Sequence, residues 1–127
     1  MRVLLDTSAV LGRRVPLEPD DEVTISAVTL AELHLGVLVA ADARIRAERL
    51  RRLTTLERWF DPLPVDAAVA QRYGVLAAAV AEIGRHPRAR AMDLLIAATA
   101  SVHGARLVTR DAGDLRGLEG HLEILAL

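Results

Sequence analysis

Each of three apolar stretches of the chain contains a single charged residue, and in every case that residue is an acid. They are Asp6 within residues 3–12, Glu32 within residues 23–41 and Asp93 within residues 91–105, in a chain of which 26% is charged. A lone buried carboxylate is costly unless hydrogen bonds, an opposite charge or a metal ion compensate it. Because no arginine or lysine shares these stretches, we expect the compensation to come from a bound group.

The positions of the acids relative to the predicted strands bring them to one edge of a sheet. Asp6 ends the first predicted strand, and Glu32 lies early in the helix after the second. Asp93 opens a later helix, and Asp111 follows the strand predicted at 106–109. Functional crevices in open parallel sheets lie at the carboxyl ends of the strands. We therefore predict that the four carboxylates converge there.

Each acid also has an ordinary structural interpretation. Asp6 could cap the next helix, Glu32 could be a solvated position on a buried helix, and Asp93 could complement a helix dipole. Asp111 lies in an Asp-Ala-Gly-Asp turn, where aspartate is common, and Asp114 is a rival for its place. The conjunction of four such acids is what favours a functional site.

Four carboxylates at one point repel one another, so a site built from them requires a divalent cation. Oxygen ligands favour Mg²⁺ or Mn²⁺ over zinc, and a chain without cysteine offers no thiolate ligand. Such an ion, or a pair of ions about 4 Å apart, can orient and deprotonate water for in-line attack on a phosphodiester. The acids thus predict metal-dependent hydrolysis of phosphodiester bonds.

Alternating strands and helices would position these acids. Strands are predicted at residues 2–5, 23–25, 63–65, 106–109 and 122–125, and helices at 27–41, 42–60, 66–84 and 91–103. This order is typical of an α/β fold, with a mostly parallel sheet of four to five strands flanked by helices, in a single domain over residues 1–127. One feature conflicts with a mostly parallel sheet. Two helices are predicted between residues 66 and 103, and if they formed a simple helical hairpin, the strand at 106–109 would be antiparallel.

The composition limits the classes of function. All 16 basic residues are arginines, the net charge is −1, and tryptophan, tyrosine and phenylalanine each occur once. The near-neutral charge disfavours a basic protein that coats nucleic-acid duplexes. The low aromatic content disfavours recognition of bases by stacking on aromatic side chains. The absence of cysteine fits a cytosolic protein. Since no apolar run reaches the roughly 18 residues that span a bilayer, we expect a soluble cytoplasmic protein without membrane contact.

Four segments around the acids resemble the signatures of PIN domains, and most closely those of VapC-type toxins from type II toxin–antitoxin systems. The segments are Leu5–Ala9, Ser26–Leu33, Asp93–Ala100 and Leu107–Asp111. The resemblance covers essentially the whole chain in order and implies a PIN-like, Rossmann-like domain. It also implies an endoribonuclease that depends on Mg²⁺ or Mn²⁺, a VapB-type antitoxin that neutralises it, and a homodimer.

The same resemblance assigns roles to individual residues. The catalytic and metal-binding acids would be Asp6, Glu32, Asp93 and Asp111. Two hydroxyl groups, those of Thr7 and Thr109, would support them. The fourth acidic position is often Asn in the family, and Asp114 matches another frequent family acid, so both aspartates remain candidates for that position.

Basic and apolar segments indicate surfaces for partners. Three arginines precede the Asp93 helix, and we predict that they contact RNA phosphates: Arg85, Arg88 and Arg90. On the 42–60 helix, the spacing of Arg44, Glu48 and Arg52 predicts a solvated ladder of ion pairs. The apolar helix 27–41, with Trp59 and Phe60, predicts either a surface for the antitoxin or a second subunit, or simple core packing.

Three other functions share parts of this pattern. A catalytically silent PIN-like module would keep the fold and only bind a partner. A nuclease directed at DNA would use the same metal chemistry. A phospho-acceptor receiver domain also has an acidic pocket in a small parallel fold, but receivers use a lysine late in the chain, and this chain has none.

Overall fold

Four parallel strands form the centre of the protein. In the computed structural model, which describes residues 1–12 and 14–127, they are β1 (Arg2–Leu5), β2 (Glu22–Ile25), β3 (Arg106–Thr109) and β4 (Ile124–Ala126). Their order in the sheet is β2-β1-β3-β4, and all three neighbouring pairs are parallel. Leu5 pairs with both Ile25 and Val108. Three strands therefore end at the same level, which defines the carboxyl edge of the sheet.

Five α-helices of the described residues surround the sheet: α1 (Thr7–Leu11), α2 (Ala27–Leu38), α3 (Ala43–Trp59), α4 (Ala67–Glu82) and α5 (Ala91–Val102). The first four helices begin at a side chain that accepts a hydrogen bond from a first-turn amide: Asp6, Ser26, Asp42 and Asp66. Such oxygens satisfy amides that a helix start leaves unpaired. Within residues 1–12 and 14–127, no helix is both long and apolar enough to cross a membrane.

The sheet is buried on both faces, as parallel sheets generally are. Leu4 and Leu107 belong to the larger core, which they share with residues of α4 and α5. Val3, Leu5 and Val108 belong to the core on the α1 side. This division follows from strand geometry, because successive side chains point to opposite faces.

Helices α2 and α3 pack against each other beside the sheet. Their contact contains the buried side chains of Leu33 and Val37 from α2 and Leu53 from α3. Across the same contact, Arg49 Nη1 donates a hydrogen bond to the carbonyl oxygen of Gly36 at 2.6 Å. The α2–α3 pair thereby brings an arginine-rich helix next to the helix that carries Glu32.

Helix α5 carries Asp93 in its first turn and is deeply buried beyond it. Its buried residues are Leu94, Ile96, Ala97, Ala98, Thr99 and Ala100. The helix starts near the carboxyl edge, where Arg90 contacts Asp114, and it ends just before β3. Because α5 itself returns the chain across the sheet, β3 is parallel to β1. The predicted conflict between two helices and a parallel strand is therefore absent.

The strand predicted at 63–65 is wrong, because it amounts to a single bridge between Ser26 and Leu63. Pro62 and Pro64 flank Leu63 and lack the N–H groups that a longer ladder requires. Leu63 donates to the Ile25 carbonyl oxygen at 2.9 Å and does not extend the sheet further.

The last strand also differs from its prediction. It begins at Ile124 instead of Leu122, because Leu122 pairs with Glu119 in a separate bridge. The predicted fold class is confirmed, with a sheet of four strands that is wholly parallel within the described residues. The predicted long helices are also present: α2 and α5 begin at the predicted residues, and the other helix ends shift by one to three residues.

Candidate active site

Asp6 leaves the end of β1 and enters the carboxyl edge with one carboxylate oxygen already bonded. Its Oδ1 accepts hydrogen bonds from the Ser8 hydroxyl at 2.6 Å and from the Ala9 amide at 2.9 Å. The alternative interpretation of Asp6 as a helix cap is therefore confirmed. Its second oxygen receives no hydrogen bond from the described residues, so a cap and a ligand role are compatible.

Glu32 is held from α1. The Thr7 hydroxyl donates to Glu32 Oε1 at 2.6 Å and lies 3.2 Å from the hydroxyl oxygen of Thr29, which is fully buried. This arrangement joins the first turn of α1 to α2. Glu32 is half-buried and fixed, so it is more than a solvated position on an apolar helix.

Asp93 shows that the acids come together. Burial raises the pKa of its carboxyl above the ordinary value of 3.8, and the negative charges of other acids raise it further. Those acids are, in decreasing effect, Glu32, Asp114, Asp6 and Asp111. Each must lie near Asp93 to act on it, so the structure brings all four predicted acids and Asp114 to the same edge of the sheet.

The two rival aspartates after β3 have different surroundings. The amide of Asp111 donates to the Thr109 hydroxyl at 2.9 Å, and no described residue bonds its exposed carboxylate. Asp114 Oδ1 instead accepts a hydrogen bond from Arg90 Nη1 at 2.9 Å. Asp114 therefore has a cation beside it, whereas Asp111 presents a carboxylate without one.

The turn that carries both aspartates is held by the arginines that precede α5. Besides the contact between Arg90 and Asp114, Arg85 Nη1 donates to the carbonyl oxygen of Gly113 at 3.0 Å. Arg88 is exposed. Contact of these three arginines with RNA stays a prediction, and for Arg85 and Arg90 the structure adds a role in positioning the turn.

Ser8 is a residue of this site that the sequence interpretation missed. Its hydroxyl oxygen lies 3.3 Å from that of Thr109 and accepts a hydrogen bond from the Arg110 amide at 2.9 Å. Together with its bond to Asp6, these contacts tie the end of β1 to the end of β3. The sequence pointed to Ser8 only through its place in Leu5–Ala9, one of the four segments that resemble PIN-domain signatures.

The donor set suits a hydrated hard cation. Within residues 1–12 and 14–127, no three acidic or histidine side chains are grouped closely enough to hold an ion directly. Mg²⁺ commonly keeps several waters and binds through one or two carboxylates and substrate phosphates. The free oxygens of the clustered acids, together with the half-buried Asp93, match that mode of binding. The residues present therefore fit Mg²⁺ or Mn²⁺.

The predicted ion-pair ladder on α3 is only partly present. Arg44 and Glu48 lie 3.4 Å apart, but both side chains are largely exposed, so the pair adds little stability. Arg52 does not join them in the described structure. It instead lines a groove that also contains Thr7 and Glu32.

The comparison with protein families decides which fold family this is. The model of the PIN domain matches residues 3–118, a range that contains all five acids described above. The chain belongs to the PIN domain family. The expectation drawn from its four segments is thereby confirmed.

Curated relatives place this PIN domain among proteins named for ribonuclease activity. Ribonuclease VapC5 of Mycobacterium tuberculosis is 38% identical over 122 residues, which cover 92% of this chain and 87% of the relative. Ribonuclease VapC4 of the same organism is 36% identical over 115 residues, covering 87% of this chain and 86% of the relative.

Solved structures agree with this placement. The crystal structure of VapBC-5, a member of the VapBC family of toxin–antitoxin systems from Mycobacterium tuberculosis, matches with a TM-score of 0.86 and 38% identity. The match covers 99% of this PIN protein and 98% of that chain. FitAcB from Neisseria gonorrhoeae matches with a TM-score of 0.76 at 29% identity, covering 98% of this chain and 96% of that chain.

Proposed function

We propose that this PIN protein is an endoribonuclease toxin of the VapC type, which hydrolyses RNA phosphodiester bonds and is neutralised by a VapB-type antitoxin. One observation carries the proposal. Four acids share one edge of the sheet, where the charges of the other three raise the pKa of Asp93: Asp6, Glu32, Asp93 and Asp111. No described arginine forms an ion pair with any of the four. The names of the relatives support ribonuclease activity, and residues 1–127 would act as one domain.

The proposed cofactor is a hydrated Mg²⁺ or Mn²⁺, which Asp6, Glu32, Asp93 and Asp111 would hold partly through its water molecules, since no three acids of the described residues are close enough to bind an ion directly. When bound, such an ion orients and acidifies a water molecule and neutralises phosphate oxygens. Thr7 fixes one oxygen of Glu32 and leaves the other free to bind. Ser8 and the Ala9 amide do the same for Asp6.

The protonation of Asp93 links the site to pH. Because burial and neighbouring acids raise its pKa, the free protein keeps a proton on this carboxyl at pH values where an exposed aspartate has lost it. That proton must leave before Asp93 can act as an anionic ligand. Asp114 contributes to this effect while its own carboxylate is bonded to Arg90, which favours Asp111 as the fourth ligand and Asp114 as a supporting residue.

The test is cleavage of single-stranded RNA by the purified protein with Mg²⁺ or Mn²⁺. Asp93→Asn and Asp6→Asn should each lower the rate at least about 100-fold, since each removes a ligand charge; Asn keeps the helix cap at residue 6. Asp20→Asn removes an exposed acid away from the site and should leave the rate unchanged. Equal rates in all four proteins would overturn the nuclease proposal and favour a silent binding module.

Parallel reactions with DNA distinguish the choice of substrate. We expect RNA to be cut and DNA to remain intact under the same conditions. Nicking of DNA without cleavage of RNA would replace the ribonuclease assignment with a DNA-directed nuclease that uses the same acids. All metal-dependent reactions should stop in EDTA, which checks the cofactor independently of the substrate.

The outer side of α2 is our proposed contact for the antitoxin or for the second subunit of a homodimer. Leu35, Leu38 and Val39 are 60%, 72% and 64% exposed, and Trp59 at the end of α3 is 78% exposed. Phe60 instead packs against the core on the α1 side, which agrees with the alternative of simple core packing for this residue. Co-expression with the product of the adjacent upstream gene should give a stable complex and relieve growth inhibition in the cytoplasm, where we place the protein.

A further inference from the structure

A groove of about 380 Å³ opens beside the acidic edge, between α1, α2 and α3. Thr7 and Glu32 also line it, so the groove adjoins one of the proposed catalytic carboxylates. Leucine side chains from the three helices form its apolar walls: Leu11, Leu33 and Leu53. A ligand in the groove would therefore touch both apolar walls and the residues that hold Glu32.

The side of the groove formed by α3 is basic. Helix α3 carries six arginines and two glutamates, whereas the whole chain has a net charge of −1. Two of these arginines, Arg49 and Arg52, line the groove. Arg49 is fixed by its bond to the Gly36 carbonyl oxygen, and Arg52 has no hydrogen-bond or ion-pair partner among the described residues. Arg52 is thus available to a ligand.

We propose that this groove is a nucleobase subsite for an unpaired RNA nucleotide adjoining the scissile phosphate. The inference rests on the proposed function and adds a specificity-determining site to it. A base has apolar faces and a polar edge, which match leucine walls beside a guanidinium group. Proteins recognise unpaired RNA bases by stacking, including on arginine planes, and by hydrogen bonds to base edges. Positive charge on α3 complements the phosphates on either side of the base.

Gly36 offers a way to fill the groove without disturbing the protein. It lines the groove from the interior of α2, and a Cβ atom added there would meet no atom within 4 Å. A larger side chain is therefore accommodated at this position, and because Gly36 lines the groove, such a side chain should narrow the space proposed for the base. Because glycine is a poor helix former, Gly36→Leu should not destabilise α2.

The chain supplies a matched control for each variant. Gly74 lies in the interior of α4, also has free space around an added Cβ, and does not line the groove. Gly74→Leu therefore repeats the change in helix propensity and surface hydrophobicity. Arg51 is exposed on α3 and does not line the groove. Arg51→Gln removes the same charge as Arg52→Gln from a neighbouring position.

The experiment measures cleavage of single-stranded RNA oligonucleotides randomised around the cut. Gly36→Leu should raise KM at least about 10-fold and flatten the base preference at the nucleotide next to the scissile bond, while kcat changes little. Arg52→Gln should weaken the same base preference. Gly74→Leu should match the wild type, and Arg51→Gln should reduce affinity equally for all sequences.

Each outcome separates this inference from the proposed function. If the wild type fails to cut RNA, or if the Asp93→Asn variant cuts RNA as fast as the wild type, the proposed function itself fails. If the wild type cuts RNA but Gly36→Leu and Arg52→Gln behave like their controls, the nucleobase subsite is wrong and the nuclease assignment stands. If Gly36→Leu keeps its base preference but no longer binds the upstream gene product, the groove is a protein-docking surface instead.

Discussion

The hydrogen bond between Thr7 and Glu32 offers a direct test of how the site is built. Thr7→Val keeps the shape of the side chain and removes its donor. Hydrogen bonds to charged groups contribute about 1.5–3 kcal/mol, and both residues are half-buried, so a loss near the lower end, about 1.5 kcal/mol, is expected. For a chain of this size, about 4 °C per kcal/mol predicts a melting temperature lower by about 6 °C.

A double-mutant cycle assigns that loss to the Thr7–Glu32 pair. Thermal melts of Thr7→Val, Glu32→Ala and the double variant, all in EDTA, should show a coupling free energy of about 1 kcal/mol or more. Thr54→Val is the matched control, because Thr54 is exposed on α3 and makes no side-chain hydrogen bond in the described structure. Additive effects in the cycle, or a Thr7→Val melting temperature equal to that of the control, would refute the reasoning.

Three further predictions concern Asp93, the turn after β3 and the core. Asp93→Asn should raise the melting temperature of the metal-free protein at pH 7, because a carboxyl with a raised native pKa opposes folding once it ionises. The gain should be absent below the ordinary pKa of 3.8, grow as pH rises from there to the native pKa, and level off above it; melts in EDTA across this range check the sign. Arg90→Gln should lower the free energy of unfolding by less than about 1 kcal/mol, since Asp114 is largely exposed, while hydrogen exchange at the Gly113 and Asp114 amides becomes faster. Leu94→Ala should cost about 3 kcal/mol in denaturant melts because Leu94 is fully buried, and Leu38→Ala, at a 72% exposed position, should cost little.

The acidic residues of the site were predictable because burial and charge conflict in the sequence itself. Asp6 and Asp93 stand alone in apolar segments, and strand ends in a parallel sheet fall on one edge whatever the details of the loops. Both conditions are local properties that a single sequence carries. The predicted convergence at this edge agrees with the charges that act on Asp93.

The hydroxyl contacts of the site were not predictable in the same way. Ser8 lies 101 residues from Thr109 along the chain, and serine is common at helix starts for reasons unrelated to any site. Only the pairing of β1 with β3 brings these two side chains together. The contact between Arg90 and Asp114 likewise depends on where the turn after β3 folds back.

The groove was missed because it belongs to no single element. Spacing along α3 indicated an ion pair between Arg52 and Glu48 of the same helix, whereas the packing of α3 against α2 places Arg52 in the lining of a groove that also contains Glu32. Periodicity reports which side chains share a helix face, but the neighbour of that face depends on how the helices dock. The prediction of a strand at 63–65 was wrong for a different reason. Leu63 lies between two prolines, which have no backbone N–H group to donate to a neighbouring strand.

The bond between Asp6 and the start of α1 constrains how this lineage could lose its activity. Replacing Asp6 by a residue that cannot cap would cost folding stability as well as the proposed role of Asp6 in catalysis. Asp93 and Asp111 carry no such bond from the described residues, and loss of Asp93 would even relieve repulsion. We therefore expect relatives that have lost nuclease activity to lack Asp93 or Asp111 more often than Asp6. An aspartate at position 6 alone is then poor evidence that a relative still cuts RNA.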